Sequence, residues 1–204
     1  MSNQNKVTTK YCILLFAYLA VLYPLWVFVS ARNWSFDSNF LLNLFPSFGL
    51  IAFALLWLHA ISGVFEPWLR QYIDFDRYVQ TTSILIFISI ILHPLLLIIK
   101  TDFNFIPIFF YGQAYIWLAI LGWLLLIIYD ITKPLKKKYD FFVKNWNHIL
   151  LISNIGFLIT FFHSLGVGSD LQSGLLKFIW IFYGVTAILA IIWTYGIDRS
   201  WQKR

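Results

Sequence analysis

The chain alternates between long apolar stretches and short polar ones. Six windows lack Asp, Glu, Lys and Arg, and each has about 20 residues or more, the length that a helix needs to cross roughly 30 Å of hydrocarbon. The pattern therefore predicts an all-α integral membrane protein, a six-transmembrane-helix bundle that forms a single domain over residues 1–204. The predicted spans are about 11–31, 48–65, 78–99, 113–130, 147–167 and 178–197.

Composition supports this fold class. Of the 204 residues, 60% are hydrophobic and 12% are charged, and the mean hydropathy is +0.76. A soluble domain of this size cannot cover its surface with so few polar residues. The first apolar window is too long and too aromatic for a secretory signal peptide, so we interpret it as a helix of the mature protein. No glycine-rich phosphate loop is present, so we expect no flavin or nicotinamide domain.

Membrane topology, and not nucleic-acid binding, explains the formal net charge of +6. If both termini are cytoplasmic, only Arg32, Lys100 and Lys177 fall in outer segments. The inner segments then hold Lys6, Lys10, Arg70, Arg77, Lys133, Lys136, Lys137, Lys138, Lys144, Arg199, Lys203 and Arg204. This asymmetry is the positive-inside pattern, so we predict a multi-pass protein in contact with the lipid of the bacterial inner (plasma) membrane.

All four histidines lie in apolar windows. His148 and His163 share the fifth predicted span, ~22 Å apart along the helix and about 60° apart around it. His93, in the third span, lies at about the same depth as His163, ~22 Å above the inner boundary. Two imidazoles from neighbouring helices at one depth are what a b-type haem iron needs as axial ligands. The spacing therefore predicts that His93 and His163 ligate the iron of an outer haem.

Two further histidines and one lysine are candidates for the same chemistry. His59 lies ~9 Å from the inner end of the second span, where it is either a ligand or a residue that bridges helices by a hydrogen bond. His148 lies just inside the inner face of the membrane. Lys100 follows His93 by seven residues, about two helical turns. Its ammonium either contacts haem propionates or is an ordinary interfacial cation.

Several pieces of the sequence resemble the ferric reductase-like transmembrane domain. They are IDFDRY before the third span, LHPLLLI around His93, the tract WLAILGWLLLII, and Trp146 followed by HSLGVGSDL around His163. They lie within residues 66–171, about half of the chain. Ferric reductases, NADPH oxidases and the haem-binding subunit of the bacterial methionine sulfoxide reductase system share this domain. The resemblance implies six helices that hold haem b in two layers between the third and fifth spans.

The inner haem layer departs from the family pattern. The family has inner ligands about fourteen residues before the position of His93 and about thirteen before that of His163, but Val79 and Leu150 occupy those places. His59 and His148 approach the inner depth, although a displacement of two residues turns a side chain by ~200° around a helix. Two alternatives stay open: one outer haem alone, or a second haem held by these two histidines.

The predicted function is transmembrane electron transfer by a haem b protein, an oxidoreductase component similar to ferric reductases. Iron with two histidine ligands shuttles one electron and does not bind dioxygen. The expected donor is a separate cytoplasmic flavin reductase or a membrane quinol, and ferric iron is a plausible outer acceptor. Two other classes compete: a membrane scaffold or subunit whose histidines bridge helices, and a proton-relaying transporter. The sequence shows no internal repeat of the kind that transporters carry.

Overall fold

The computed structural model describes residues 3–37 and 40–197. Three cations that were assigned to the inner side, Arg199, Lys203 and Arg204, lie outside the described residues. The chain divides into two compact units, Met1–Lys100 and Thr101–Arg204. Each unit contains a pair of long helices joined through a short helix.

Within the described residues the chain is helical and contains no strand. The α-helices are α1 (Asn3–Ser30), α2 (Phe40–Val64), α3 (Glu66–Leu69), α4 (Phe75–Lys100), α5 (Ile106–Phe109), α6 (Gln113–Leu135), α7 (Asp140–Lys144), α8 (Trp146–Val167) and α9 (Gly174–Ile192). A 3₁₀ turn covers Ser169–Leu171, and a π-helix covers Trp193–Ile197. Six helices are long and apolar enough to cross a membrane: α1, α2, α4, α6, α8, and α9 with the π-helix. They confirm the all-α, multi-pass membrane fold class.

Some helices extend beyond the predicted spans. α1 begins at Asn3, inside the polar lead, and α2 begins at Phe40, earlier than the predicted start at residue 48. The reason is that each backbone N–H and C=O needs a hydrogen-bond partner. α1 therefore continues into its polar lead. The early residues of α2, such as Phe40 and Leu41, are themselves apolar, and Pro46 lies inside that helix and does not mark its beginning.

In the first unit, α2 packs against both α1 and α4. Phe53, Ala54 and Trp57 of α2 are almost fully buried. Phe16 of α1 lies against the Trp57 ring, with 6.0 Å between the ring centroids. This apolar face makes α2 the helix against which His93 of α4 is positioned.

An ion-pair cluster closes the connection between α2 and α4. The Arg70 guanidinium lies 2.8 Å from a carboxylate oxygen of Glu66 in α3 and 2.7 Å from one of Asp76 in the first turn of α4. These hydrogen bonds to Asp76 and Glu66 raise the pKa of Arg70 above its ordinary value. The positive charge of this connection is therefore paired within the connection itself.

In the second unit, two glycines let α6 and α8 approach closely. A Cβ on Gly156 would lie 2.9 Å from the carbonyl oxygen of Gly122 and 3.0 Å from the backbone nitrogen of Leu126. Small residues at a crossing are typical of membrane helices, because lipid provides little hydrophobic force to press helices together. The Phe161 ring of α8 lies on Gly184 of α9 in the same way.

The two units share a repeat that is not visible in the sequence. In the first unit, His93 of α4 hydrogen-bonds the carbonyl of Phe45 in α2. In the second unit, His163 of α8 hydrogen-bonds the carbonyl of Tyr115 in α6, and each carbonyl lies 48 residues before its histidine. The second pair lies 70 residues after the first, from 45 to 115 and from 93 to 163. Few residues are identical at this offset. The repeat therefore lies in helix register and hydrogen bonding, and comparing residue types does not reveal it.

Candidate functional site

His93 lies on α4, seven residues before that helix ends at Lys100. Its ring is half-buried against α2, where Nδ1 lies 2.9 Å from the carbonyl oxygen of Phe45. Gly49, one helical turn after Phe45, leaves room for the ring. A Cβ on Gly49 would lie 2.8 Å from Cε1 and 2.9 Å from Nδ1 of His93. The imidazole is thus held by a backbone carbonyl and by the space that this glycine provides.

His163 is held in the same manner on α8. It lies four residues before α8 ends at Val167, and its Nδ1 lies 2.9 Å from the carbonyl oxygen of Tyr115, the third residue of α6. Gly166 packs so closely against the Tyr115 ring that a Cβ at this glycine would overlap the ring. The His163 ring is therefore attached to an early turn of the neighbouring helix, as the His93 ring is in the first unit.

The two hydrogen bonds determine where the protons of both rings lie. A carbonyl oxygen only accepts, so Nδ1 of His93 and of His163 must be the protonated nitrogen. In the neutral ring, Nε2 then has the lone pair with which a histidine coordinates a metal. Metal-bound histidines commonly donate the other ring N–H to a carbonyl, which orients the ring and raises its basicity. Both histidines therefore have the donor chemistry that axial ligation of haem requires.

A contact with α9 also steadies the turn that carries His163. Trp180 is 1% exposed, and its indole Nε1–H donates to Oγ of Ser164 at 2.8 Å. The Ser164 hydroxyl in turn donates to the carbonyl of Phe161 at 2.7 Å. This turn of α8 is thus bonded to α6 through Tyr115 and to α9 through Trp180.

His59, near the C-terminal end of α2, takes part in an interhelical hydrogen bond. Its Nε2 bonds Oγ1 of Thr82 on α4, and that hydroxyl lies 2.7 Å from the carbonyl oxygen of Tyr78, to which it donates. Nε2 of His59 is thus engaged by the Thr82 hydroxyl, as donor or as acceptor according to the tautomer of the ring. The Tyr78 ring also packs on His59, with centroids 5.8 Å apart. Ligation through Nε2 of His59 requires loss of its bond to Thr82.

His148 is the third residue of α8, and its side chain is exposed. The 70-residue offset relates it to Tyr78, from 78 to 148, and relates His59 to Tyr129, from 59 to 129. Each unit thus carries one histidine and one tyrosine at this end of its helix pair, on opposite helices. The Tyr129 ring lies against Trp146, with 5.5 Å between the centroids.

Lys100 is the last residue of α4 and is half-buried. A cation there interacts favourably with the carbonyls that end the helix. Its long side chain also extends toward the headgroup level of a membrane. Both properties belong to an ordinary interfacial lysine, and the contact with haem propionates stays a prediction.

The groups that hold the histidines were not predicted from sequence. The carbonyls of Phe45 and Tyr115 have no side-chain signature, because every residue carries such a carbonyl. Gly49 is one of ten glycines in the chain, and no local pattern distinguishes it. The shared spacing of 48 residues would have been a signal, but only once the first pair was known.

The part of the chain that is described contains no cluster of side chains that would form another kind of metal site. Among those residues, no three His, Cys, Asp or Glu side chains lie together as they would around a metal ion. The single cysteine, Cys12, is exposed on α1.

The resemblance to the ferric reductase-like domain rests on the quoted pieces of sequence alone. Comparison of the chain with family models, curated proteins and solved structures gave no match.

Proposed function

We propose that this chain binds haem b through His93 and His163 and carries electrons across a membrane as a ferric reductase-like oxidoreductase component. One observation carries the proposal. Each of the two histidines donates Nδ1–H to a backbone carbonyl 48 residues earlier, so Nε2 is the ring nitrogen that would coordinate iron. The pieces LHPLLLI and HSLGVGSDL around these histidines support the same assignment.

The residues of the chain supply orientation and surroundings for this chemistry. The carbonyls of Phe45 and Tyr115 orient the rings and increase their electron donation, which favours the oxidised state of a bound iron. Haem, when bound, supplies a one-electron redox couple. Iron held by His93 and His163 together would have no ligand position left for dioxygen, so the bound group would serve electron transfer.

The hydrogen bonds support one haem in preference to two. Nε2 of His59 is engaged in its bond to Thr82, and His148 is exposed at the start of α8. We assign His59 to helix bridging and retain a second haem on His59 and His148 as the alternative. The ratio of haem to protein distinguishes these two cases.

The proposal includes a donor and an acceptor outside the chain. The donor is a separate cytoplasmic flavin reductase or a membrane quinol, and the acceptor is an outer oxidant such as ferric iron. The distribution of cations supports placement in a bacterial inner membrane with both termini cytoplasmic. Lys100, seven residues after His93, is then at the level where a haem propionate would meet a cation.

The same contacts support a second candidate function, that of a membrane scaffold. His59, His93 and His163 each bond across two helices, which is how polar side chains hold membrane helices together. A scaffold needs no metal, so the two functions differ in a measurable property.

The decisive experiment is the absorption spectrum of the full chain, purified in detergent and reduced with dithionite, with a measured ratio of haem to protein. We expect a sharp low-spin b-type band and a ratio near one. A ratio near two would support the inner pair. Protein that contains no haem when expressed with ample haem supply, and that does not take up added haem, would contradict electron transfer and leave the scaffold.

The space at Gly49 provides a test that leaves both histidines in place. Gly49→Ala puts a Cβ 2.8–2.9 Å from ring atoms of His93, so the ring must shift. We expect haem affinity to fall roughly 10–100-fold, as for other changes to groups that orient a metal ligand. Haem titration of the apoprotein measures this. The control is Gly63→Ala, where no atom lies within 4 Å of the added Cβ. Equal affinities of the two variants would show that the Gly49 space does not position the ligand.

A further inference from the structure

The connection between α6 and α8 concentrates positive charge. Residues 133–146, here called the basic loop, contain one acidic residue, Asp140, and five lysines: Lys133, Lys136, Lys137, Lys138 and Lys144. All of these lysines except Lys136 are exposed. Among the described residues, no ion pair joins any of the five to a carboxylate. Lys133 interacts electrostatically with Asp130, and no such partner is seen in the described part of the chain for the exposed Lys137, Lys138 and Lys144, whose charge is therefore available to a binding partner.

Exposed apolar side chains accompany these lysines. Tyr139, Phe141 and Val143 are 57%, 66% and 50% exposed. Lys136 holds its ammonium nitrogen 4.4 Å from the centroid of the Trp146 ring, a cation–π contact at the start of α8. Lysines mixed with exposed aromatic residues at the end of a membrane helix are typical of a segment that lies in the headgroup layer.

The corresponding connection in the first unit carries more acidic than basic residues. Residues 65–76 contain three acids and one arginine, and that arginine is paired with Glu66 and Asp76. Both connections join two long helices through a short one. Closing such a helix pair therefore does not require a surplus of lysines, and the joining of the two helices does not account for the charge of the basic loop.

We infer that the basic loop is a binding segment for anionic phospholipids, with its lysines on lipid phosphates and Tyr139 and Phe141 at the interface. The loop begins and ends in helices of membrane-spanning length, so a lipid surface is the partner next to it. Each lysine near an anionic surface contributes roughly a fivefold gain in binding, and apolar side chains add to this. The inference does not depend on haem binding.

The first test measures which lipids the full chain retains. The protein is placed in nanodiscs with equal amounts of phosphatidylcholine and phosphatidylglycerol, and the bound lipids are counted by native mass spectrometry. We expect the wild type to retain phosphatidylglycerol preferentially. The triple variant Lys136→Gln/Lys137→Gln/Lys138→Gln should lose most of this preference at low salt, and added salt should weaken the preference of the wild type.

A matched control removes three cations elsewhere. Lys6→Gln/Lys10→Gln/Arg77→Gln changes the net charge equally, and these three side chains are also exposed. It should keep the phosphatidylglycerol preference of the wild type. An equal loss in both triple variants would attribute the effect to total charge and overturn the inference, as would full retention in the variant of the basic loop.

A second test does not depend on the folding of the lysine variant. Phe141→Cys in a Cys12→Ser background is labelled with an environment-sensitive fluorophore in the same nanodiscs. Brominated phosphatidylglycerol should quench the label more strongly than brominated phosphatidylcholine. A label that stays water-exposed would overturn the inference and point to a soluble acidic partner. A label quenched equally by both lipids would also overturn it, because the segment would then contact lipid without a preference for the anionic headgroup.

Discussion

His163→Ala should abolish the b-type absorption band of the reduced protein, and His93→Ala should do the same. Each change removes one of the two proposed axial nitrogens, and the carbonyl that held the ring cannot replace it. We expect retained haem to fall by at least ~100-fold, beyond the effect of disturbing a group that only orients a ligand. Absorption spectra and haem-to-protein ratios of the purified variants measure the loss.

The matched controls are His59→Ala and His148→Ala. Both remove a histidine from a membrane helix, but neither removes one of the two proposed ligands of the outer haem. They should keep the band. If the four variants all lost haem and the wild type held two haems per chain, the single-haem assignment would be wrong. If His93→Ala and His163→Ala kept a full complement of haem, the ligand assignment itself would fail.

Gly156→Ala should destabilise the second unit. The added Cβ would meet the Gly122 carbonyl oxygen at 2.9 Å and the Leu126 nitrogen at 3.0 Å, and backbone atoms of a packed helix cannot move aside as a flexible side chain can. Overpacking of this kind costs about 1–3 kcal/mol. For a chain of 204 residues, this corresponds to a fall in Tm of about 2–12 °C. Thermal unfolding in detergent, followed by tryptophan fluorescence, checks it.

The control for this prediction is a glycine variant that should not lose stability. Gly63 lies in α2 with open space around it, so Gly63→Ala gains helix propensity without a clash. It should leave Tm unchanged or raise it, because alanine in a helix is favoured over glycine by about 0.5–1 kcal/mol. A Gly156→Ala protein as stable as Gly63→Ala would show that α6 and α8 do not need their close approach.

The repeated helix pairs change how the candidate site is understood. A histidine bonded to a carbonyl 48 residues earlier occurs once in each unit, so the two proposed ligands share the same hydrogen bond at Nδ1. The tyrosines and histidines at the other end are exchanged between helices, with His59 and Tyr78 in one unit and Tyr129 and His148 in the other. The repeat therefore keeps histidine at the same position in both units at one end, and exchanges histidine and tyrosine between helices at the other.

The number of membrane helices and their approximate places follow from the sequence alone. Transfer into hydrocarbon depends mainly on the side chains within one stretch of about 20 residues, so each span can be recognised without knowing its neighbours. The same reasoning places His93 and His163 within apolar helices and makes them candidates for function. It misplaces the start of α2, because the apolar residues before Pro46 are already part of the helix Phe40–Val64.

Only the tertiary structure decided which atoms hold these side chains. Three contacts depend on the rotation and height of one helix against another. They are the bond between His59 and Thr82, the fit of His93 against Gly49, and the carbonyl that His163 meets. The physical reason is that hydrogen bonds and close packing act over about 3 Å. A change of one residue in register moves a side chain by 1.5 Å along the helix and ~100° around it. Apolar membrane sequences barely encode that register, so the arrangement that gives the histidines their chemistry emerges only when the helices pack.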